Sequence, residues 1–273
     1  MKQLINSLFK TVLIFALIYY SPIKTGFLNF MKNNISFNSL LYTSNVDFDI
    51  DSTLLLVEKY GTEYIEYPNE NTVASSNKKV ETVGNIKKVL IYSTHQNEEY
   101  LDYGDVVSAS KYLAEILENT YGIEVDVIEE NFIATASMYG YNYNKLYSIS
   151  RMFLEEYLMN DTYDLIIDFH RDALPRELTY ITYNGKNYAK IMADIGTNNP
   201  NHLVNLEYAQ TLTDKISSYN IPIMKPVYTI ASTYNQDLAD NIMLIEFGSD
   251  QNYYQEVLNS IEIVARAISE IRW

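Results

Sequence analysis

The sequence predicts an α/β fold, a single domain over residues 87–273 with a mostly parallel central sheet flanked by helices. Three observations lead there. Short apolar runs alternate with segments of helical period, the order expected of strand–helix–strand units. The apolar runs show little polar alternation, as in strands covered on both faces. Several of these runs end in ionisable residues, which suits the carboxyl edge of an open sheet, where ligands bind.

The elements follow in order. Lys88–Tyr92 reads as a buried strand. Residues 105–121 carry Val106, Val107, Tyr112, Leu113, Ile116 and Leu117 at helical spacing, and Gly122 supplies the C-terminal stop. Ile123–Ile128 is a second strand. Residues 144–159 are helical, with Leu146, Ile149, Met152, Phe153 and Leu158 on one face. Leu165–Phe169 is a third strand, ended by His170. Leu178–Tyr183, turning at Asn184–Gly185 into Asn187–Ile195, has the pattern of a hairpin. A helix over 203–217, an apolar strand over 242–247 and a closing helix over 252–271 complete the domain. No internal repeat is present.

Upstream, residues 4–23 form an apolar stretch of 20 positions interrupted by Lys10, close to the roughly 20 residues that cross a bilayer. Small residues of a cleavage site do not follow it, so residues 1–25 are expected to be an uncleaved membrane anchor. Lys2 and Lys10 before the core balance Lys24 and Lys32 after it, so charge alone does not orient the span. Residues 26–86 read as a juxtamembrane region and linker, polar and turn-rich over 66–79. Ser52–Val57 is a short apolar segment within it.

Hydrophobic residues make up 47% of the chain, enough to build a core, and the net charge is −15. That balance argues against nucleic-acid partners, which need basic surfaces to neutralise phosphate. With no cysteine there are no disulfides, thiolate metal sites or thiol nucleophiles. The 26 tyrosines read as composition bias before ligand binding.

Only three histidines exist, and two end apolar strands. His95-x-x-Glu98 follows the first strand and His170-Arg171-Asp172 the third. Two imidazoles and one carboxylate make a three-ligand set for a hydrolytic zinc ion. An isolated His-x-x-Glu is equally the pattern of a helix start or a surface polar pair, and Asp168 and Asp172 are also what would fix a structural histidine. Glu246 stands inside the apolar run Ile242–Phe247, where an unpaired charge is expensive. A metal, or a proton held at raised pKa, would resolve that cost. His202, in a turn-like stretch before a helix, reads as a surface or capping residue.

The ordered motifs resemble those of the stage II sporulation protein P family, membrane-anchored N-acetylmuramoyl-L-alanine amidases of endospore-forming bacteria. Thr94-His95-x-x-Glu98-x-Tyr100 is similar to one family block, Tyr147-x-x-Ser150-Arg151 to a second and Asp168-Phe169-His170-Arg171-Asp172-Ala173 to a third. Gly196 with Asn205, Tyr234-Asn235-Gln236-Asp237-Leu238, and Leu244-Ile245-Glu246-Phe247-Gly248 with Asn252 and Glu256 continue the series. Phe169 and Ser93 depart from the family pattern. The likeness runs through most of residues 88–267.

The resemblance implies a zinc amidase-like domain cutting the bond between N-acetylmuramic acid and L-alanine of peptidoglycan during engulfment of the forespore, and it allows an endopeptidase activity on peptide crosslinks. It implies Zn2+ on His95, Glu98 and His170, with Glu246 as the proton shuttle. Arg171 is placed at an oxyanion or a substrate carboxylate, or in an ion pair with Asp172 or Asp168. Asp168 would orient a ligand histidine. Asn235 and Gln236 would hydrogen-bond substrate or form a turn, and Tyr100 and Tyr147 would line the cleft or pack in the core. Implied partners are a sporulation lytic transglycosylase and a membrane protein, with the domain tethered on the extracytoplasmic side of the cell membrane. The alternative readings are a zinc carboxypeptidase, with Arg171, Arg176 or Lys186 holding a terminal carboxylate, and an inactive wall-binding scaffold.

Overall fold

The chain builds a six-stranded sheet in the order β2-β1-β3-β8-β6-β7, with helices on both faces. This is seen in a computed structural model that describes residues 84–273, all within one compact unit, Ser75–Trp273. The expected anchor (1–25) and nearly all of the juxtamembrane region lie outside the described residues. Among the described residues, no helix is long and apolar enough to cross a membrane.

Strand β1 (Lys88–Tyr92) pairs in parallel with β2 (Glu124–Val127) on one side and with β3 (Leu165–Asp172) on the other. Strand β3 pairs in parallel with β8 (Ile242–Ser249). The chain therefore moves outward from β1 to β2, then returns to the opposite side of β1 for β3. That reversal makes a switch point at the carboxyl ends of β1 and β3, the crevice where open α/β sheets bind ligands. Strand β6 (Ile191–Gly196) runs antiparallel to β8 and carries β7 (Tyr228–Ile230) at the edge.

Alternation along the strands divides the core. Val89, Ile91, Leu165, Ile167, Phe169, Met243, Ile245 and Phe247 face α1 (Val106–Ile116), α5 (His202–Ser217) and α6 (Tyr254–Glu270). Leu90, Tyr92, Ile166 and Ile242 face α2 (Phe132–Met138) and α3 (Leu146–Asn160). Helix α1 opens on a capping box in which Asp105 accepts from the Ser108 N–H at 2.7 Å. It runs into a π-helical turn, Leu117–Tyr121, that stops at left-handed Gly122 (φ 70°).

Two expectations need correction. Strand β3 does not end before His170 but continues to Asp172, with a register shift between them, so His170 is a strand residue facing inward. The hairpin is shorter than its pattern: β4 (Tyr180–Tyr183) and β5 (Lys186–Ala189) pair around Asn184 and Gly185, both at positive φ. Beyond Lys190 the chain leaves the hairpin and joins the main sheet as β6. Helix α2, a short helix α4 (Arg176–Thr179) and edge strand β7 were not foreseen. These elements, of seven, four and three residues, are too short to show a period.

Candidate metal centre

The switch point gathers His95, Glu98 and His170. A tight turn after β1, with the Glu98 N–H on the His95 carbonyl at 3.0 Å, brings both side chains back over the strand end. The three offer ligand atoms that all lie within 4.8 Å of one another. Glu98 bridges the histidines: Oε1 is 3.5 Å from His95 Nδ1, and Oε2 is 3.4 Å from His170 Nδ1. The Arg171 backbone N–H also donates to Glu98 Oε2, at 3.1 Å.

Asp168 stands behind His170. It is buried, with Oδ1 2.9 Å from His170 Nε2, a charge contact rather than an aligned hydrogen bond. The Thr94 N–H donates to the same Asp168 Oδ1 at 2.9 Å, and the Thr94 hydroxyl lies 2.8 Å from Oδ2. Thr94 also lies 3.0 Å from the Ser150 hydroxyl, which accepts from the Asn235 amide at 3.1 Å. A line of polar contacts thus runs from Asn235 through Ser150, Thr94 and Asp168 to His170. Thr94 and Ser150, which in the sequence are only members of motifs, hold the Asp168 carboxylate in place behind His170.

Electrostatics favour a cation here. Burial pushes the Glu98 carboxyl up, but the flanking histidines and the Arg171 N–H outweigh it and hold the pKa down to about 2. Burial opposes a charged His170, but Asp168 and Glu98 raise its pKa well above the ordinary histidine range. Two imidazoles and an ionised carboxylate, with a second carboxylate behind, fit the donor chemistry of zinc.

Glu246 pairs in register with His170 across β3 and β8 and lies on the same face of the sheet. Its Oε2 is buried without a hydrogen-bond partner. Burial, reinforced by Asp194 and Glu98 against the pull of His170, pushes its pKa up to about 8. Asp194 is a second such acid, not among the candidates named from the sequence. It lies on β6 two positions from Met192, the residue opposite Glu246, and so shares the face. Its Oδ1 is buried and unpartnered, and burial with the Asp172 charge raises its pKa to about 7. The signal was available: Asp194 interrupts an apolar strand just as Glu246 does.

Other candidates have their groups engaged. The Arg171 guanidinium donates to the carbonyls of Glu99 (3.1 Å) and Asp172 (3.4 Å), an anchor for the Glu98 turn, and the alternative of an ion pair with Asp172 or Asp168 is not among its contacts with the described residues. The Asn235 amide is spent on Ser150 and the Tyr147 carbonyl. Gln236 straps β6, accepting from the Gly196 N–H and donating to the Asp194 carbonyl, each at 2.8 Å. Tyr100 is buried against Tyr254. Tyr147 instead reaches the centre, edge-on to His95 at 5.5 Å and parallel to His170 at 6.4 Å. Asp172 meets Lys225 at 3.7 Å. Arg176 is held by Glu256 between the rings of Tyr180 and Tyr253, and Lys186 pairs with Glu262, so neither is free for a terminal carboxylate. His202 opens α5 with Nδ1 2.9 Å from the Asn199 carbonyl, a helix-start residue. A second acidic trio, Glu124, Asp126 and Asp161, already encloses the Lys88 ammonium.

Fold and site together define an α/β protein with a His–Glu–His centre at the switch point of a mostly parallel sheet. The chain belongs to the stage II sporulation protein P family, whose model matches residues 45–269. The match reaches upstream of Lys88, where the recognised motifs begin. Stage II sporulation protein P of Bacillus subtilis (strain 168) is 28% identical over 212 residues, which cover 71% of this chain and 53% of that protein. The chain thus spans about half the length of this relative. Among solved structures, an N-acetylmuramoyl-L-alanine amidase from Clostridium difficile 630 covers 68% of this chain and 94% of its own, at 16% identity and a TM-score of 0.41. The catalytic domain of an endolysin targeting Clostridia difficile covers 67% and 94%, at 18% identity and a TM-score of 0.42.

Proposed function

We propose that this chain is a zinc-dependent N-acetylmuramoyl-L-alanine amidase that hydrolyses peptidoglycan in sporulation. The observation that carries the reading is the His95–Glu98–His170 cluster facing the partnerless carboxylate of Glu246. Family membership supports the wall substrate and the sporulation role.

His95, Glu98 and His170 would hold the ion. Zinc bound there supplies Lewis acidity, making a water nucleophilic near neutral pH and polarising an amide carbonyl. Asp168 keeps the His170 ring turned so that Nδ1 points into the centre. Glu246 takes the proton from the attacking water and returns it to the departing L-alanine amine. Its burial-raised pKa of about 8 lies close to neutrality, the range in which a carboxyl both accepts and donates. Tyr147 closes the centre from the α3 side. The domain acts on the outer side of the membrane through an N-terminal anchor, alongside a lytic transglycosylase and a membrane partner.

The test is digestion of purified peptidoglycan by the full-length protein, with and without chelator, followed by mass identification of the products. A new L-alanine amino terminus that disappears with chelator supports the reading. Release of a terminal amino acid instead would indicate a carboxypeptidase, and no release under any metal condition would remove hydrolysis.

A further inference from the structure

The segment joining α2 to α3 presents aromatic rings to solvent where a core would have hidden them. Tyr139, Tyr141 and Tyr143 are 58%, 46% and 48% exposed. They are not scattered. Tyr139 and Tyr141 stack with ring centres 6.0 Å apart and planes 28° from parallel. Tyr143 stacks on His95, centres 4.9 Å apart and planes 20° from parallel. Tyr147, edge-on to His95 at 5.5 Å, also meets Tyr234 at 5.6 Å. Two stacked pairs, separated in the chain only by Asn142, therefore lie between α2 and the centre, and the second of them includes His95.

Packing does not account for these rings. Leu146, Phe132 and Ala136 of the same region are buried and supply its core contacts, whereas the three tyrosines stay about half exposed. Contiguous exposed apolar surface marks a binding site more often than a structural need. The chemistry of the rings narrows the ligand. From Asn131 to Asn144 no residue carries a charge, in a chain whose net charge is −15. A neutral ledge of phenol rings suits pyranose rings, whose axial C–H faces pack on aromatic faces while their hydroxyls and acetamides stay hydrated. It does not suit the anionic stem peptide, which gains nothing from uncharged rings. The rings also continue into a ligand histidine, so a strand lying on them would be carried up to the reacting bond.

We propose that Tyr139, Tyr141 and Tyr143 form a glycan-binding ledge that seats successive sugar rings of a peptidoglycan strand and presents the lactyl–alanine amide to the centre. The assignment rests on the amidase reading above and names where the sugar end of that substrate lies. Tyr139 and Tyr141 are specificity residues, and Tyr143 links them to His95.

The experiment uses the full-length protein and the Tyr139→Ala/Tyr141→Ala double variant, leaving Tyr143 in place because it touches His95. Three probes are compared: peptide-free glycan strands for binding, intact sacculi for hydrolysis, and a single-sugar muramyl peptide for hydrolysis. The variant should bind strands at least five-fold more weakly and cut sacculi with kcat/KM lowered about ten-fold, a loss of about 1.4 kcal/mol. Its rate on the single-sugar substrate should stay within about two-fold of the parent. Tyr139→Phe/Tyr141→Phe should behave as the parent, since stacking needs the ring and not the hydroxyl. Unchanged strand binding in the alanine variant overturns the ledge, as does an equal loss on both substrates. Failure of the parent to bind peptide-free strands overturns it as well. If the parent binds strands through these rings but cuts neither substrate, the ledge stands and the amidase reading falls. Should the alanine variant fail to fold, the tyrosine ultraviolet difference spectrum of the parent on addition of chitin oligosaccharide decides: a perturbation supports the ledge, and none overturns it.

Discussion

Glu246 and Asp168 show how one chemical group, the carboxyl, takes two roles from its surroundings. Asp168 has both oxygens engaged by Thr94 and touches His170, so it serves as a fixed anion behind the ring. Glu246 has no such partners on Oε2 and is left able to exchange a proton. Replacing Glu246 with Gln should lower amide hydrolysis by about 10²–10⁴-fold, the span of general acid–base catalysis, while bound zinc measured by metal analysis stays near the parent value. Full activity in that variant would remove Glu246 from the chemistry. Asp168→Asn should instead weaken zinc binding by roughly 10–100-fold, read from competition with a chromogenic chelator, because His170 loses its orienting charge. Equal zinc affinity would show that Thr94 and Asp168 serve the fold alone.

The elements that carry the centre are tied together by buried and half-buried polar groups. Arg151 on α3 makes two parallel 2.9 Å hydrogen bonds to Asp237, and Asn235 reaches the α3 backbone, so the Tyr234–Leu238 loop is clamped to the helix bearing Tyr147. Tyr234 and Asn235 both adopt positive φ, an unfavourable backbone for side-chain-bearing residues that this clamp maintains. Gln236, the next residue, is fully buried and satisfies two main-chain groups of β6. Gln236→Leu would leave the Gly196 N–H and the Asp194 carbonyl without partners, at about 1–3 kcal/mol each. Urea unfolding should show a loss of at least about 2 kcal/mol, and a midpoint unchanged from the parent would contradict the strap.

Across the whole molecule, the buried acids set how stability depends on pH. Glu246 at about 8 and Asp194 at about 7 lie above their ordinary values of 4.5 and 3.8. The folded state thus holds protons that the unfolded chain releases above pH 4–5. Stability must fall as pH rises from there through about 8. His170, also raised, acts in the same direction above 6.5. Glu98 and Glu270, both lowered to about 2, act oppositely and withdraw stability only as pH falls below about 4.5. The metal-free protein should therefore resist denaturant better at pH 5 than at pH 8.5. Asp194→Asn should flatten that difference by raising stability at pH 8.5, checked by unfolding midpoints at the two pH values. A wild-type midpoint higher at pH 8.5 would show that these carboxyls are already charged at neutral pH.

Local pattern alone determined the alternation of strands and helices, and it singled out His95, Glu98, His170 and Glu246. Strand runs and helical faces are short-range properties, and an ionisable residue in an apolar run is costly enough to stand out one residue at a time. Asp194 could have been found by the same test. Sheet order was not legible, because pairing β3 rather than β2 beside β8 depends on crossovers that no local period encodes. That order places a histidine from β1's turn against one within β3, and Glu246 opposite it. It also decided that Arg171, Asn235 and Gln236, polar candidates in the sequence, would spend their side chains on main-chain groups and, for Asn235, on Ser150 as well. The tyrosines joining α2 to α3 passed as composition bias for the same reason: only packing determines which rings remain uncovered, and beside what.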